Sequence, residues 1–253
     1  MRDPTFVAFA TMKGGAGKST LTTLVASYLY YNEGLDVVAI DCDDSQFSLE
    51  KYRKHDLQVS KVNPFHHRRL VKFYKTFRKD KAYKIMCTPV ANAVSLIKEY
   101  LENGENPDVV FFDITGTINN PDIPNLLAVM DYIFVPTSVE TGEAASSIAF
   151  ANHVKNKMMT TGKTNVKELS LIWTKAYTRQ KNRVMEAMDD YLAKLGLHSL
   201  ETIIPNSSKY TKDGLPAGNE RIFRSTLLPP DNTLLKGSNL PELVKEIREI
   251  IKV

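Results

Sequence analysis

Seven short apolar runs recur along the chain, separated by longer amphipathic stretches: "FVAFAT" (6–11), "VVAID" (37–41), "YKIMC" (83–87), "VVFFD" (109–113), "YIFVP" (132–136), "LSLIW" (169–173) and "ETIIP" (201–205). Each is apolar at consecutive rather than alternate positions, the pattern of a strand covered on both faces and therefore of a parallel sheet. The stretches between them carry helical periodicity. Leu21, Leu24, Val25, Tyr28 and Leu29 follow the i, i+3, i+4, i+7, i+8 stripe. "NAVSLIKEYLENG" repeats such a stripe and stops at Gly104. This alternation predicts an α/β fold: a single doubly wound, mostly parallel sheet flanked by helices. No internal repeat or low-complexity linker interrupts it, so residues 1–253 read as one domain. The stretch 206–238, rich in Pro, Gly, Asn and Ser, reads as an irregular surface segment.

Composition changes this picture little; charge distribution changes it more. No apolar run reaches the 18 residues of a membrane-spanning helix. The first residues, "MRDPTFVAFA", lead into a strand and lack the layout of a secretory signal. Cys42 and Cys87 stand apart without a metal or disulfide pattern and read as inert thiols of a reducing, cytoplasmic protein. Net charge is only +4, yet residues 51–84 hold 12 Lys/Arg against two acids, Asp56 and Asp80.

The chemistry concentrates at "TMKGGAGKST" (11–20), which lies between an apolar strand and an amphipathic helix. Gly14, Gly15 and Gly17 let the backbone turn its N–H groups inward, and the helix that follows presents its positive end to an anion. Gly14, Gly15, Ala16, Gly17, Lys18, Ser19 and Thr20 are the expected cradle of a phosphate chain. Lys18 reaches the β- and γ-phosphates and the Ser19 hydroxyl takes a position on Mg²⁺. The usual loop spelling, G-x-x-x-x-G-K-[ST], fails because Met12 occupies the first glycine position; a second lysine, Lys13, stands beside it.

"KGGAGKST" resembles the deviant Walker A motif of the ParA/MinD family of P-loop ATPases. The likeness continues through "IDCDDSQFS" (40–48), similar to the family's D-x-D-P-Q segment, "PDVVFFDITGT" (107–117), similar to its Walker B strand, and "MDYIFVPTSVE" (130–140). It covers residues 5–175 in order and spacing. The resemblance implies a P-loop fold, ATP and Mg²⁺ as cofactors, slow ATP hydrolysis and a homodimer formed when ATP is bound. It implies that Lys13 reaches the nucleotide of the second subunit; the alternative is a surface lysine acting within its own chain. It places Mg²⁺ between Ser19 and Asp113 and makes Asp43 the group that orients the attacking water, with Asp41 structural. The chain departs from the pattern at Asp43-Asp44-Ser45-Gln46, where a proline is missing and one residue is added, so Asp44 shares the candidacy with Asp43. Thr115 and Gly116 fall where a γ-phosphate switch is expected, and Thr174, Lys175 and the stretch from Pro205 where adenine is held.

"NPFHHRRLVKFYKTFRKD" (63–80) reads as a helix capped by Asn63 with Pro64 at its first position. Leu70, Phe73, Tyr74 and Phe77 gather on one face, and Arg68, Lys72, Lys75 and Lys79 on the other. That basic stripe suits a phosphate backbone, and equally a solvated face or an acidic partner. The resemblance favours non-specific DNA; Arg221 and Arg224 are further candidates. His66 and His67 are neighbours rather than an i, i+4 pair and read as surface residues. The last stretch, "NLPELVKEIREIIKV", alternates acids and bases behind Leu240, Leu243, Val244, Ile247 and Ile251. It reads as a helix packed on the sheet rather than a membrane-seeking one, so no stable membrane association is expected. These features together predict a cytoplasmic ParA-like ATPase, nucleoid-associated when ATP-bound. It would serve plasmid or chromosome partition or conjugative transfer with a ParB-like or other activating protein. A MinD-like regulator of a membrane or protein complex, and a metabolic or electron-transfer enzyme on the same fold, are the alternatives.

Overall fold

The computed structural model describes residues 3–12, 14–43, 46–77, 79–114, 120–177 and 183–253. Six strands, β1 (Thr5–Phe9), β2 (Val37–Asp41), β3 (Lys84–Cys87), β4 (Val109–Asp113), β5 (Tyr132–Ser138) and β6 (Glu168–Thr174), form one sheet in the order β3-β2-β4-β1-β5-β6. Every pairing is parallel. The chain runs from β1 to β2 and β3 on one side and from β4 past β1 to β5 and β6 on the other, so the ends of β1 and β4 face the crevice where such sheets bind ligands.

The continuous apolar runs divide by residue parity. Val7, Phe9, Val37, Ala39, Val109 and Phe111 enter one core with α1 (Lys18–Tyr31) and the last helix, α9 (Leu240–Ile251). Ala8, Val38, Ile40, Val110, Phe112 and Ile133 enter the other, under α4 (Ala93–Glu102), α5 (Asp122–Ala128) and α6 (Thr141–Val154). Helix α1 is buried on more sides than its stripe predicts, Thr22, Thr23 and Ser27 included. The two hydroxyls of Thr22 and Thr23 return to the carbonyls of Lys18 and Ser19, so burial leaves them satisfied. In α9, Leu240, Leu243, Val244, Ile247 and Ile251 are all at most 2% exposed, packed against the first core.

Three expectations change. "ETIIP" is not a strand: it runs beside β6 but makes only the isolated bridge of Pro205 with Ala176. The N–H groups of Leu200 and Ile204 reach the carbonyls of Leu171 and Trp173, so four residues on one side span two on the other. The intervening N–H groups of Glu201 and Thr202 are taken by the Glu246 carboxylate on α9. Second, the stretch 206–238 is irregular but not superficial: Ile222, Phe223, Ser225 and Thr226 are at most 4% exposed. Third, the basic region forms a helical pair, α2 (Ser48–Val62) and α3 (Pro64–Thr76), with α3 ending before Lys79. Asn63 caps α3, its side chain accepting from the N–H groups of Phe65 and His66. The remaining α-helices among the described residues are α7 (Arg183–Lys194) and the one-turn α8 (Asn232–Leu235). Among the described residues no helix is long and apolar enough to cross a membrane.

Candidate functional site

The glycine-rich loop leaves β1 and enters α1 at Gly17, whose φ of 93° lies in the left-handed region that a side chain disfavours. From there the chain turns directly into helix, the Leu21 N–H bonding the Gly17 carbonyl at 2.8 Å. Lys18 is 9% exposed. Burial lowers its pKa, opposed by the charges of Asp113 and Asp43. A buried ammonium at a helix N-terminus favours an anionic ligand, while the two carboxylates near it favour a cation beside that ligand.

Sheet register brings the carboxylates together. Asp41 and Asp113 end adjacent strands and are register partners, and Phe9, at the end of β1, is the partner of Asp113 on the other side. Asp113 is fully enclosed, and burial pushes its pKa up to about 7; a hydrogen bond from Ser19 and the charge of Lys18 act against that rise, while Asp41 and Asp43 add to it. Its Oδ2 has no hydrogen-bond partner among the described residues. A hydroxyl beside a buried carboxylate with one unfilled oxygen suits a hard cation held largely by water and phosphate oxygens. No group of three or more His, Cys, Asp or Glu side chains suited to a metal occurs among the described residues.

Asp41 is committed elsewhere. Its Oδ2 accepts the Leu49 N–H at 2.7 Å in the first turn of α2, and Oδ1 the Asp43 N–H at 3.3 Å. Burial raises its pKa to about 6 despite these bonds. Asp43 is partly exposed, and its carbonyl anchors the return of the chain by accepting from Gln46 and Phe47. Lys13, Asp44, Thr115 and Gly116 lie outside the described residues.

Next to the loop a cavity of about 220 Å³ is bounded by Gly15, Gly17 and Thr20 on one side and by Thr174, Lys175 and the 204–211 segment on the other. The structure therefore joins the loop to both stretches expected near adenine. The Thr174 hydroxyl is buried without a partner among the described residues, and Lys175 is 3.6 Å from Glu143. Ser207, Tyr210 and Thr211 fall in the stretch from Pro205 expected near adenine, and the irregular path after β6 carries them back to the loop.

The basic helix is partly redrawn. Phe73, Tyr74 and Phe77 pack against the first core, including the rings of Tyr30 and Tyr31. Arg68, Lys72 and Lys75 are exposed on α3. Lys79 does not share their face: beyond the helix end it pairs with Asp36 at 2.7 Å, bonds the Leu35 carbonyl and lies 4.4 Å from the centre of the Tyr30 ring. Arg221 is exposed and pairs with Asp231 and Thr233, whereas Arg224 is drawn inward by Asp213, Thr20 and Tyr52. His66 is not a surface residue. It is 2% exposed, and neither ring nitrogen has a hydrogen-bond partner.

A doubly wound parallel sheet with a glycine-rich loop and a buried lysine at the N-terminus of its first helix defines a P-loop nucleotide-binding protein. More narrowly, the chain belongs to the CobQ/CobB/MinD/ParA nucleotide-binding domain family, whose model matches residues 7–215. No curated protein sequence matches the chain. Among solved structures it is similar to a plasmid partition protein of Borrelia burgdorferi bound to AMPPNP, at 18% identity over 98% of both chains with a TM-score of 0.54. It is similar to pNOB8 ParA at 15% identity over 98% of this chain and 99% of that one, with a TM-score of 0.65. It also resembles the cell division protein MinD of Aquifex aeolicus, at 19% identity over 98% and 97% of the chains, with a TM-score of 0.57. These likenesses establish the shared fold.

Proposed function

We propose that this chain is a Mg²⁺-dependent ATPase of the ParA type, alternating between an ATP-bound homodimer on DNA and an ADP-bound monomer. The observation that carries the reading is the group at the end of β1 and β4: Lys18 buried at the head of α1, Ser19 bonded to Asp113, and the unfilled Asp113 Oδ2. Lys18 takes the β- and γ-phosphates. Ser19 and Asp113 would hold Mg²⁺, and the ion would supply charge neutralisation for phosphoryl transfer. Asp43, or Asp44 beside it, orients the attacking water.

Lys13 reaches the nucleotide of the partner subunit, where a compact ammonium against a γ-phosphate makes dimerisation depend on ATP. Hydrolysis is slow until a ParB-like or other activating protein completes the site, because charge stabilisation depends on groups that only the dimer assembles. Exposed Arg68, Lys72 and Lys75 supply the contact to DNA without sequence preference. The similarity to a plasmid partition protein favours partition or conjugative transfer as the role.

Fluorescence anisotropy with a random-sequence duplex, at two salt concentrations and with ATP or ADP, tests this. ATP-dependent, salt-sensitive binding is expected. No binding with either nucleotide, while ATP still produces a dimer, would replace the DNA reading by a MinD-like action on a membrane or protein complex.

A further inference from the structure

Arg224 belongs to the long segment after β6, yet its guanidinium ends beside the phosphate loop. Its side chain is only 11% exposed. Nε and Nη2 grip the two oxygens of Asp213 at 2.9 and 2.7 Å. Nη1 donates to Thr20 Oγ1 at 3.2 Å and to the Tyr52 hydroxyl at 3.0 Å. The guanidinium carbon lies 4.0 Å from the centre of the Tyr52 ring. Thr20 follows Ser19 in the first turn of α1 and lines the cavity beside Gly15 and Gly17.

The backbone that carries Arg224 is equally fixed. Ser27 on α1 donates to the Ser225 carbonyl at 2.6 Å, and Tyr31 to the Thr226 carbonyl at 2.7 Å. Asp56 on α2 accepts from both the N–H and the hydroxyl of Thr226 at 2.7 Å. Held at both ends, the side chain has little freedom to lose when a ligand arrives, which is what pre-organisation means physically.

A guanidinium only donates, so at Thr20 the hydroxyl oxygen is the acceptor; the Tyr52 hydroxyl bonds Thr20 as well, and with Tyr52 as the donor the threonine proton is left for a ligand. We propose that Arg224 is a positioning residue for the nucleotide. It holds Thr20 so that the threonine hydroxyl donates to a nucleotide phosphate, while Tyr52 braces the same group from α2. This inference rests on the nucleotide-binding reading above and extends it to a residue more than two hundred positions from the loop. A brace needed only for stability is already supplied by the two-pronged grip on Asp213; the third contact is the one aimed at the loop.

The test is titration of a fluorescent ATP analogue with Mg²⁺ into wild-type protein, Arg224→Gln, Thr20→Ala and the double variant. Arg224→Gln is expected to weaken binding about tenfold, the order of one charge-assisted hydrogen bond. The double variant should lose no more than about twofold beyond Thr20→Ala alone, because one residue acts through the other. Unchanged affinity in Arg224→Gln, or losses that multiply independently, would overturn the proposal. A purely structural role lowers the urea midpoint and leaves affinity in the folded protein unmoved. If Arg224→Gln does not fold, Tyr52→Phe decides: removing one hydroxyl brace is expected to cost about threefold, on the scale of a neutral hydrogen bond, and an unchanged affinity counts against it. Wild-type protein that binds no analogue removes the nucleotide reading and this inference with it; wild-type binding with unmoved variants removes this inference alone.

Discussion

His66 is a residue whose surroundings invert what its sequence neighbours suggest. Its ring is buried against Gly214 without a hydrogen bond at either nitrogen. Burial lowers its pKa from the ordinary 6.5, the charge of Arg69 lowers it further, and Glu220 acts weakly in the opposite sense. The unfolded chain therefore binds the proton more readily, and this residue's contribution to stability is intact above pH 6.5 and lost as pH falls below it. His66→Leu removes an unsatisfied polar group. It is expected to hold or raise stability by about 1 kcal/mol near pH 8, and to flatten the decline between pH 8 and 5.5. Urea midpoints of both proteins at these two pH values measure it; parallel declines would assign the acid sensitivity to other groups. At the functional site the residue types were more legible. Gly17, Lys18 and Ser19 announce a phosphate loop because backbone freedom, a cation and a hydroxyl at fixed spacing have few other uses. Arg224 could not be assigned to that site from sequence, since nothing local to it points back to Thr20.

Among the elements, the strands were the easiest to read, because burial on both faces leaves few polar positions inside them. The exception, "ETIIP", is just as apolar: Ile203 and Ile204 are buried. Its N–H groups, however, go partly to Glu246, and a hydrogen-bonding competitor 45 residues away leaves no local trace. Helix α3 shows the complementary case. Periodicity placed its apolar face correctly but carried the basic stripe one turn too far, to Lys79, where an extended Phe77 ends the helix and Asp36 captures the ammonium. The two environments separate experimentally. Reversing Arg68, Lys72 and Lys75 together to Glu is expected to weaken binding to random duplex DNA and to lower the slope of log K against log salt by about 3, from about 0.9 per lost phosphate contact. Lys79→Glu should leave that slope in place and lower the urea midpoint instead, since it sets two acids side by side over Tyr30. Equal salt slopes for the triple variant and wild type would leave the α3 stripe as a solvated face.

At the scale of the whole molecule the function we propose lies in an equilibrium between monomer and dimer, so its predictions concern mass as well as affinity. With ATP and Mg²⁺, light scattering should show a dimer that reverts to monomer as ADP accumulates. Lys18→Ala should bind no nucleotide and stay monomeric. Lys13→Ala should still bind the ATP analogue and yet fail to dimerise; a Lys13→Ala dimer of wild-type stability would remove the trans role of that lysine. What the sequence by itself determined is what local chemistry specifies: the parallel α/β class, the phosphate loop, the cap of α3 and the packed C-terminal helix. Each rests on spacing within one turn or one strand, where neighbouring residues dictate backbone geometry directly. The tertiary structure alone decided the pairing of Asp41 with Asp113, the burial of His66, the withdrawal of Lys79 and the approach of Arg224 to Thr20. These depend on contacts between distant segments, and such contacts are chosen by competition for buried hydrogen bonds and ion pairs across the fold, which spacing along the chain does not encode.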